Sequence, residues 1–176
     1  MRHPETLFVL DEAYIDFVEQ PWPSFKSLSS ENVIILRSFT KSLGLAGLRL
    51  GYLAAPTKII RLFDHLKVPW NVNYPAACIG NYIIKNPGIS ENETKQYIEG
   101  KDLLFNYFKE SYFAIPSQTN YFLLKVINSK LLYQRFFENN ILIRECSSFG
   151  LKNYVRINAR KVHDCEKFLE VFEKIS

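Results

Sequence analysis

Val33-Ile34-Ile35-Leu36-Arg37-Ser38-Phe39-Thr40-Lys41-Ser42-Leu43-Gly44-Leu45-Ala46-Gly47-Leu48-Arg49-Leu50-Gly51-Tyr52 is the stretch on which the reading of this chain turns. Its first four residues form a continuous apolar run. Such runs suit strands covered on both faces, as in the parallel or mixed sheet of an α/β protein. The run ends in Arg37-Ser38, and Lys41 follows in a segment rich in hydroxyls and glycine. An ammonium in a partly desolvated site loses its proton more readily, which suits a lysine that condenses with an aldehyde. Ser38 and Thr40 offer hydroxyl donors, the glycines let backbone approach a ligand closely, and Arg49 offers a fork for a phosphate. Taken alone, the same features describe a solvated loop lysine, which is the commoner case.

Working outward, Phe8-Val9-Leu10 reads as a buried strand ending at Asp11-Glu12, with Asp11 thirty residues before Lys41. An Asp-Glu pair is also a common turn or helix start. Residues 14–30, with Pro21, Pro23 and several serines, read as irregular. Leu48 to Ala55 predicts a third strand, interrupted by Gly51, and Thr57–Lys67 and Pro75–Ile84 predict helices. Asn86-Pro87-Gly88 reads as a turn and domain boundary. Ser90, three residues before Glu93 as in a capping box, predicts the start of a long polar helix to about Ser111. An α+β alternation follows: strand Tyr121–Val126, helix Ser129–Asn139, strands Ile141–Glu145 and Tyr154–Ala159, and helix Lys161–Ile175.

Asp11-Glu12-Ala13-Tyr14, Ser38-x-x-Lys41 and Arg49 together resemble, in order and spacing, the cofactor-binding signature of fold-type-I pyridoxal-phosphate enzymes. The resemblance implies that Lys41 forms the covalent link to pyridoxal 5'-phosphate and that Asp11 pairs with its ring nitrogen. It assigns Tyr14 to the ring's phenolate oxygen, and Ser38 and Arg49 to the phosphate. Leu45 to Tyr52 and Val9 to Phe17 are similar to histidinol-phosphate aminotransferases and to the related threonine-phosphate decarboxylases of cobalamin synthesis. Val68-Pro69-Trp70-Asn71-Val72-Asn73 favours the decarboxylase branch, as do Ile141 to Ser147 and Tyr154 to Arg160. A decarboxylase acting on a phosphorylated amino acid is therefore the first expectation, and a histidinol-phosphate aminotransferase the alternative. From another class, a non-catalytic remnant or an aminotransferase-like binding domain stays open. The resemblance further assigns Arg144 and Arg156 to the substrate's anionic groups, with Asn120 supporting a carboxylate or the site wall.

The fold expected is α/β. Residues 1–88 would be the C-terminal part of a large cofactor domain, and residues 89–176 a connecting helix and a small α+β domain. Full-length relatives carry about as much chain again before the Asp11 strand, so the chain is expected to be a fragment that binds the cofactor weakly alone. The intact enzyme is expected to be a homodimer acting on a small anionic amino-acid or amino-alcohol phosphate. Composition agrees: 47% hydrophobic, 23% charged and a net charge of +4 describe a globular chain. The basic residues are scattered rather than striped, which gives no footprint for nucleic acid. No apolar run approaches a membrane span, and no His, Cys or acidic group has metal-ligand spacing. Three widely separated cysteines imply no disulfide framework, and a cytoplasmic setting is the simplest expectation.

Overall fold

The computed structural model describes residues 3–86 and 88–175. The chain divides into two compact units, the first ending at Glu93 and the second starting at Thr94. The turn expected around Pro87 lies outside the described residues.

The first unit is built on a three-stranded sheet of order β1-β2-β3, with β1 at Phe8–Asp11, β2 at Val33–Ser38 and β3 at Gly51–Ala54. Strands β1 and β2 are parallel, with Asp11 level with Leu36, and β3 runs antiparallel with Gly51 opposite Ser38. Val33, Ile34 and Ile35 are buried, as the continuous apolar run predicts. The expected burial of β1 is corrected: Phe8 and Val9 are 42% and 55% exposed, because β1 is a sheet edge with β2 as its one neighbour. The third strand is shorter than expected. Ala46–Leu48 wind into a 3-10 turn and Arg49 adopts a left-handed conformation, so extended backbone resumes at Gly51. Two helices follow, α1 at Thr57–Leu66 and α2 at Tyr74–Lys85. The segment 14–30, read as irregular, holds 3-10 turns at Ile15–Phe17 and Ser24–Ser29.

One buried polar cluster ties that segment to the sheet. Glu12, 7% exposed, follows β1. Its carboxylate accepts from Trp22 Nε1 at 3.0 Å, Ser24 Oγ at 2.9 Å and Arg37 Nε at 2.9 Å. Its backbone N–H donates to Leu36 O, and the Arg37 guanidinium lies 4.8 Å from the centre of the Phe25 ring. A buried carboxylate is tolerable only with such partners.

The division between the units falls inside α3, Gly88–Lys109. Because α3 starts at Gly88, Ser90 sits within its first turn and is not the N-cap. The second unit carries an antiparallel sheet of order β4-β5-β7-β6: Ala114–Ile115, Tyr121–Lys125, Tyr154–Asn158 and Arg144–Glu145 for β4, β5, β7 and β6. Helices α4, Ser129–Glu138, and α5, Val162–Ile175, complete it. Asn128 caps α4 by accepting from Leu131 N–H. Of the expected strand Ile141–Glu145, only Arg144 and Glu145 pair. The core is aromatic: Phe108 meets Phe172 edge-on at 4.8 Å between ring centres, and Phe136 stacks on Phe168 at 4.6 Å.

Gly100 of α3 is a point of close approach. A Cβ there would lie 2.0 Å from Arg160 O and 2.9 Å from Cys165 Sγ. Gly100→Ala is therefore expected to lower the stability of this unit by at least about 1–3 kcal/mol, the range for overpacking, read by urea denaturation followed by circular dichroism. No helix among the described residues is long and apolar enough to cross a membrane.

Candidate functional site

The topology of the first unit gathers the residues singled out above at one end of its sheet. Asp11 closes β1 and Ser38 closes β2, so both lie at the carboxyl ends of a parallel pair. Ligands of open α/β sheets bind outside those ends. Since β3 runs the other way and Gly51 pairs with Ser38, Arg49 comes to the same end. Lys41 follows β2 by three residues, and its Nζ lies 5.6 Å from the centre of the Tyr14 ring. Asp11 is exposed, and its Oδ1 accepts from Ala13 N–H.

Hydroxyls crowd the turn around the lysine. Ser38 Oγ and Thr40 Oγ1 are 2.7 Å apart, and Thr40 N–H donates to Ser38 Oγ. Ser42 is 1% exposed, and its Oγ has no hydrogen-bond partner. A buried hydroxyl without a partner is costly and calls for an explanation. Arg49 donates from Nη1 to Ala46 O while remaining exposed. An amine, a carboxylate, a phenol, several hydroxyls and a guanidinium thus share one sheet end. This donor set fits an aromatic aldehyde that carries a phosphate and a protonatable ring nitrogen. In the sequence Thr40 offers a hydroxyl but no place for it, and nothing there singles out Ser42. Only the fold shows which hydroxyls are buried and paired.

The second unit holds the other three residues. Arg144 on β6 and Arg156 on β7 are direct cross-strand partners. Val155 and Ile157 are buried while Arg156 is not, so Arg156 leaves the sheet on the face away from the core. Its guanidinium lies 4.9 Å from the Tyr121 ring centre, and its Nε donates to Asn158 Oδ1. Arg144 donates to Ser148 Oγ at 2.7 Å and lies 4.8 Å from the Phe149 ring centre. Both arginines line a cleft of about 660 Å³ with Tyr133, Glu145, Ser148 and Asn158. Asn120 immediately precedes β5, where its carbonyl accepts from Ala159 N–H and its Oδ1 is buried without a partner. Arg160, by contrast, pairs with Asp164 at 3.2 Å at the start of α5 and behaves as a helix-flanking charge.

Glu145 sits between these arginines and the loop that follows. Hydrogen bonds from the Ser147 and Ser129 hydroxyls hold its carboxyl below the usual glutamate range. A lowered folded value means that this stabilisation is present above the ordinary glutamate range and is lost as pH falls through the lowered value. Glu145→Gln is expected to make thermal stability less dependent on pH in that acidic window, measured by circular-dichroism melts across the pH range.

The mixed α/β architecture is that of the fold-type-I pyridoxal-phosphate enzymes. Within that class, the chain belongs to the family described as aminotransferase class I and II, whose model matches residues 1–175. It is similar to the chloroplastic histidinol-phosphate aminotransferase of Nicotiana plumbaginifolia, at 36% identity over 169 residues, covering 93% of this chain and 41% of that protein. It is also similar in structure to the L-threonine-O-3-phosphate decarboxylase of Porphyromonas gingivalis. There the TM-score is 0.86 at 26% identity, covering 98% of this chain and 56% of that one. A histidinol-phosphate aminotransferase of Sinorhizobium meliloti, solved in complex with pyridoxal-5'-phosphate, shares the fold with a TM-score of 0.82 at 23% identity, covering 98% of this chain and 50% of that one. The chain therefore spans about half the length of these proteins. The family is pyridoxal-phosphate dependent.

Proposed function

We propose that this chain is the Lys41-bearing half of a pyridoxal-phosphate enzyme of the histidinol-phosphate aminotransferase type. The observation that carries the reading is the grouping of Asp11, Tyr14, Ser38, Lys41 and Arg49 at one end of the first sheet. This replaces the decarboxylase as first choice, since the sequence relative matched at 36% identity is named as the aminotransferase. Of the segment that favoured the decarboxylase, Val68 and Trp70 are 66% and 95% exposed, so no packing within this unit constrains those two positions. The decarboxylase is kept as the second reading on the strength of its structural neighbour.

In this reading the unit ending at Glu93 is the later part of the large cofactor domain, and the following unit is the small domain. Ser38 and Arg49 hold the cofactor phosphate, with Thr40 joining through its bond to Ser38. Asp11 keeps a proton on the ring nitrogen, and Tyr14 donates to the ring oxygen. When bound, the cofactor supplies an electron-accepting ring for the electron pair of a bond broken at the substrate's α-carbon. Lys41 would be the residue that holds the cofactor's aldehyde carbon, and its free amine would be the base that moves the α-proton. Arg144 and Arg156 grip the anionic end of the substrate, and Asn120, just before β5, belongs to the site wall. Like charges directly opposed across strands are destabilising, and an anion between these two would offset that cost. The exposed edge of β1 is a surface that a further strand of the intact enzyme would cover. The isolated chain is accordingly proposed to bind the cofactor weakly, with the intact enzyme a homodimer.

With the cofactor-phosphate site removed by Arg49→Met, inorganic phosphate is expected to raise the melting temperature, and to have a much smaller effect once Arg156→Met is added. An equal rise in both, by differential scanning calorimetry, would remove the arginine pair from the substrate site. Adding histidinol phosphate or phosphothreonine to the cofactor-loaded protein tests the branch. A change in its visible spectrum with histidinol phosphate alone supports the aminotransferase, and a change with phosphothreonine alone supports the decarboxylase.

A further inference from the structure

We propose that Asn73 is a positioning residue for Arg49, an inference that rests on the phosphate-binding role assigned to Arg49 above. Arg49 has φ 55° and ψ 38°. A side chain with a Cβ adopts this left-handed conformation at a cost, and it persists where the surroundings over-determine it. Here the start of α2 holds the peptide that enters Arg49: Asn73 Nδ2 donates to Leu48 O at 3.1 Å. Gly80 of the same helix packs beside the Leu50 side chain, where a Cβ would lie 3.0 Å from Leu50 Cδ2. Leu50 O in turn accepts from Phe39 N–H, which links this turn to the segment that carries Lys41.

Asn73 can serve as that fixed point because its other end is anchored. Its Oδ1 accepts from Ala76 N–H at 2.9 Å and its backbone carbonyl accepts from Ala77 N–H, as befits the N-cap of α2. Capping alone does not call for asparagine, because serine and aspartate cap about equally well. What asparagine adds is an amide N–H₂ on the same side chain. One side chain therefore joins the helix start to the carbonyl just before the arginine. The sequence marks Asn73 only as the end of the Val68–Asn73 segment, and its bond to residue 48 spans twenty-five positions.

Asn73→Ser and Asn73→Asp separate the two tasks: both keep a capping oxygen, aspartate cannot donate to Leu48 O, and serine is too short to span both partners without adding charge. The experiment measures the concentration of pyridoxal 5'-phosphate, and separately of pyridoxal, that half-saturates labelling of Lys41 trapped by borohydride reduction. Wild-type chain is expected to prefer the phosphorylated aldehyde. Both Asn73 variants are expected to need roughly threefold to tenfold more of it, the worth of one hydrogen bond, with pyridoxal labelling unchanged. An undiminished preference in Asn73→Ser overturns the proposal, as does an equal loss for both aldehydes, which would mark a merely structural role. Arg49→Met distinguishes the two levels. If it abolishes the preference while Asn73→Ser does not, only the positioning role falls. If Arg49→Met keeps the preference, or if neither aldehyde labels Lys41, the phosphate assignment and the proposal fall together.

Discussion

Glu12→Ala is expected to cost the first unit about 3 kcal/mol, the lower end of the range for breaking one side of a buried ion pair. The carboxylate removed is the acceptor for Arg37, Trp22 and Ser24 at once. Its loss leaves a guanidinium facing low-dielectric surroundings and the buried Ser24 hydroxyl without its acceptor, while the exposed Trp22 can turn to water. Arg37 keeps 19% of its side chain exposed, so water relieves part of the cost, which places the effect at the lower end. Glu12→Ala combined with Arg37→Met should destabilise less than the two single changes added together, because the second removes the charge that the first leaves unpaired. Tryptophan fluorescence during urea unfolding isolates this unit, since Trp22 and Trp70 are the only tryptophans of the chain and both precede Glu93. Trp22 also reports the network directly through its bond to Glu12. Strict additivity in that cycle would show that the cluster does not act as a unit.

Lys41→Ala is expected to lower turnover of the intact enzyme by at least about 10²–10⁴-fold, the contribution of a positioned proton-transfer group, before any loss of cofactor is counted. The lysine has two tasks in the proposed reaction, holding the aldehyde and moving the α-proton. Tyr14, whose ring lies 5.6 Å from Nζ, has no amine to offer. Single-turnover measurements with saturating cofactor would separate the proton-transfer loss from weakened binding. A variant that retained wild-type turnover would remove Lys41 from the chemistry.

Much of this was legible in the residues. The apolar run Val33–Leu36 marked β2, because burial leaves a direct trace in sequence, and the helix expected over Lys161–Ile175 is α5. The order and spacing of Asp11, Tyr14, Ser38, Lys41 and Arg49 pointed to one site, and the parallel pairing of β1 with β2 explains why such distant residues share a sheet end. What failed did so where tertiary context overrides pattern. Phe8 and Val9 look like core residues yet lie on an edge. Leu48 to Leu50 look extended, but Arg49 is left-handed and Leu48 O is tied to Asn73, a bond that no local pattern reveals. Strand β4 is two residues long and gives no periodicity to detect. The cluster around Glu12 depends on Trp22 and Ser24, which sit in a proline-containing stretch whose path no local rule specifies.

The most direct test of the assignment is the absorbance spectrum of the purified chain with added pyridoxal phosphate, compared with that of Lys41→Ala. The visible band of a covalently held cofactor in the wild-type protein, absent from the variant, is the predicted result. A band of equal strength in both proteins would show that another amine holds the cofactor and would contradict the assignment of Lys41.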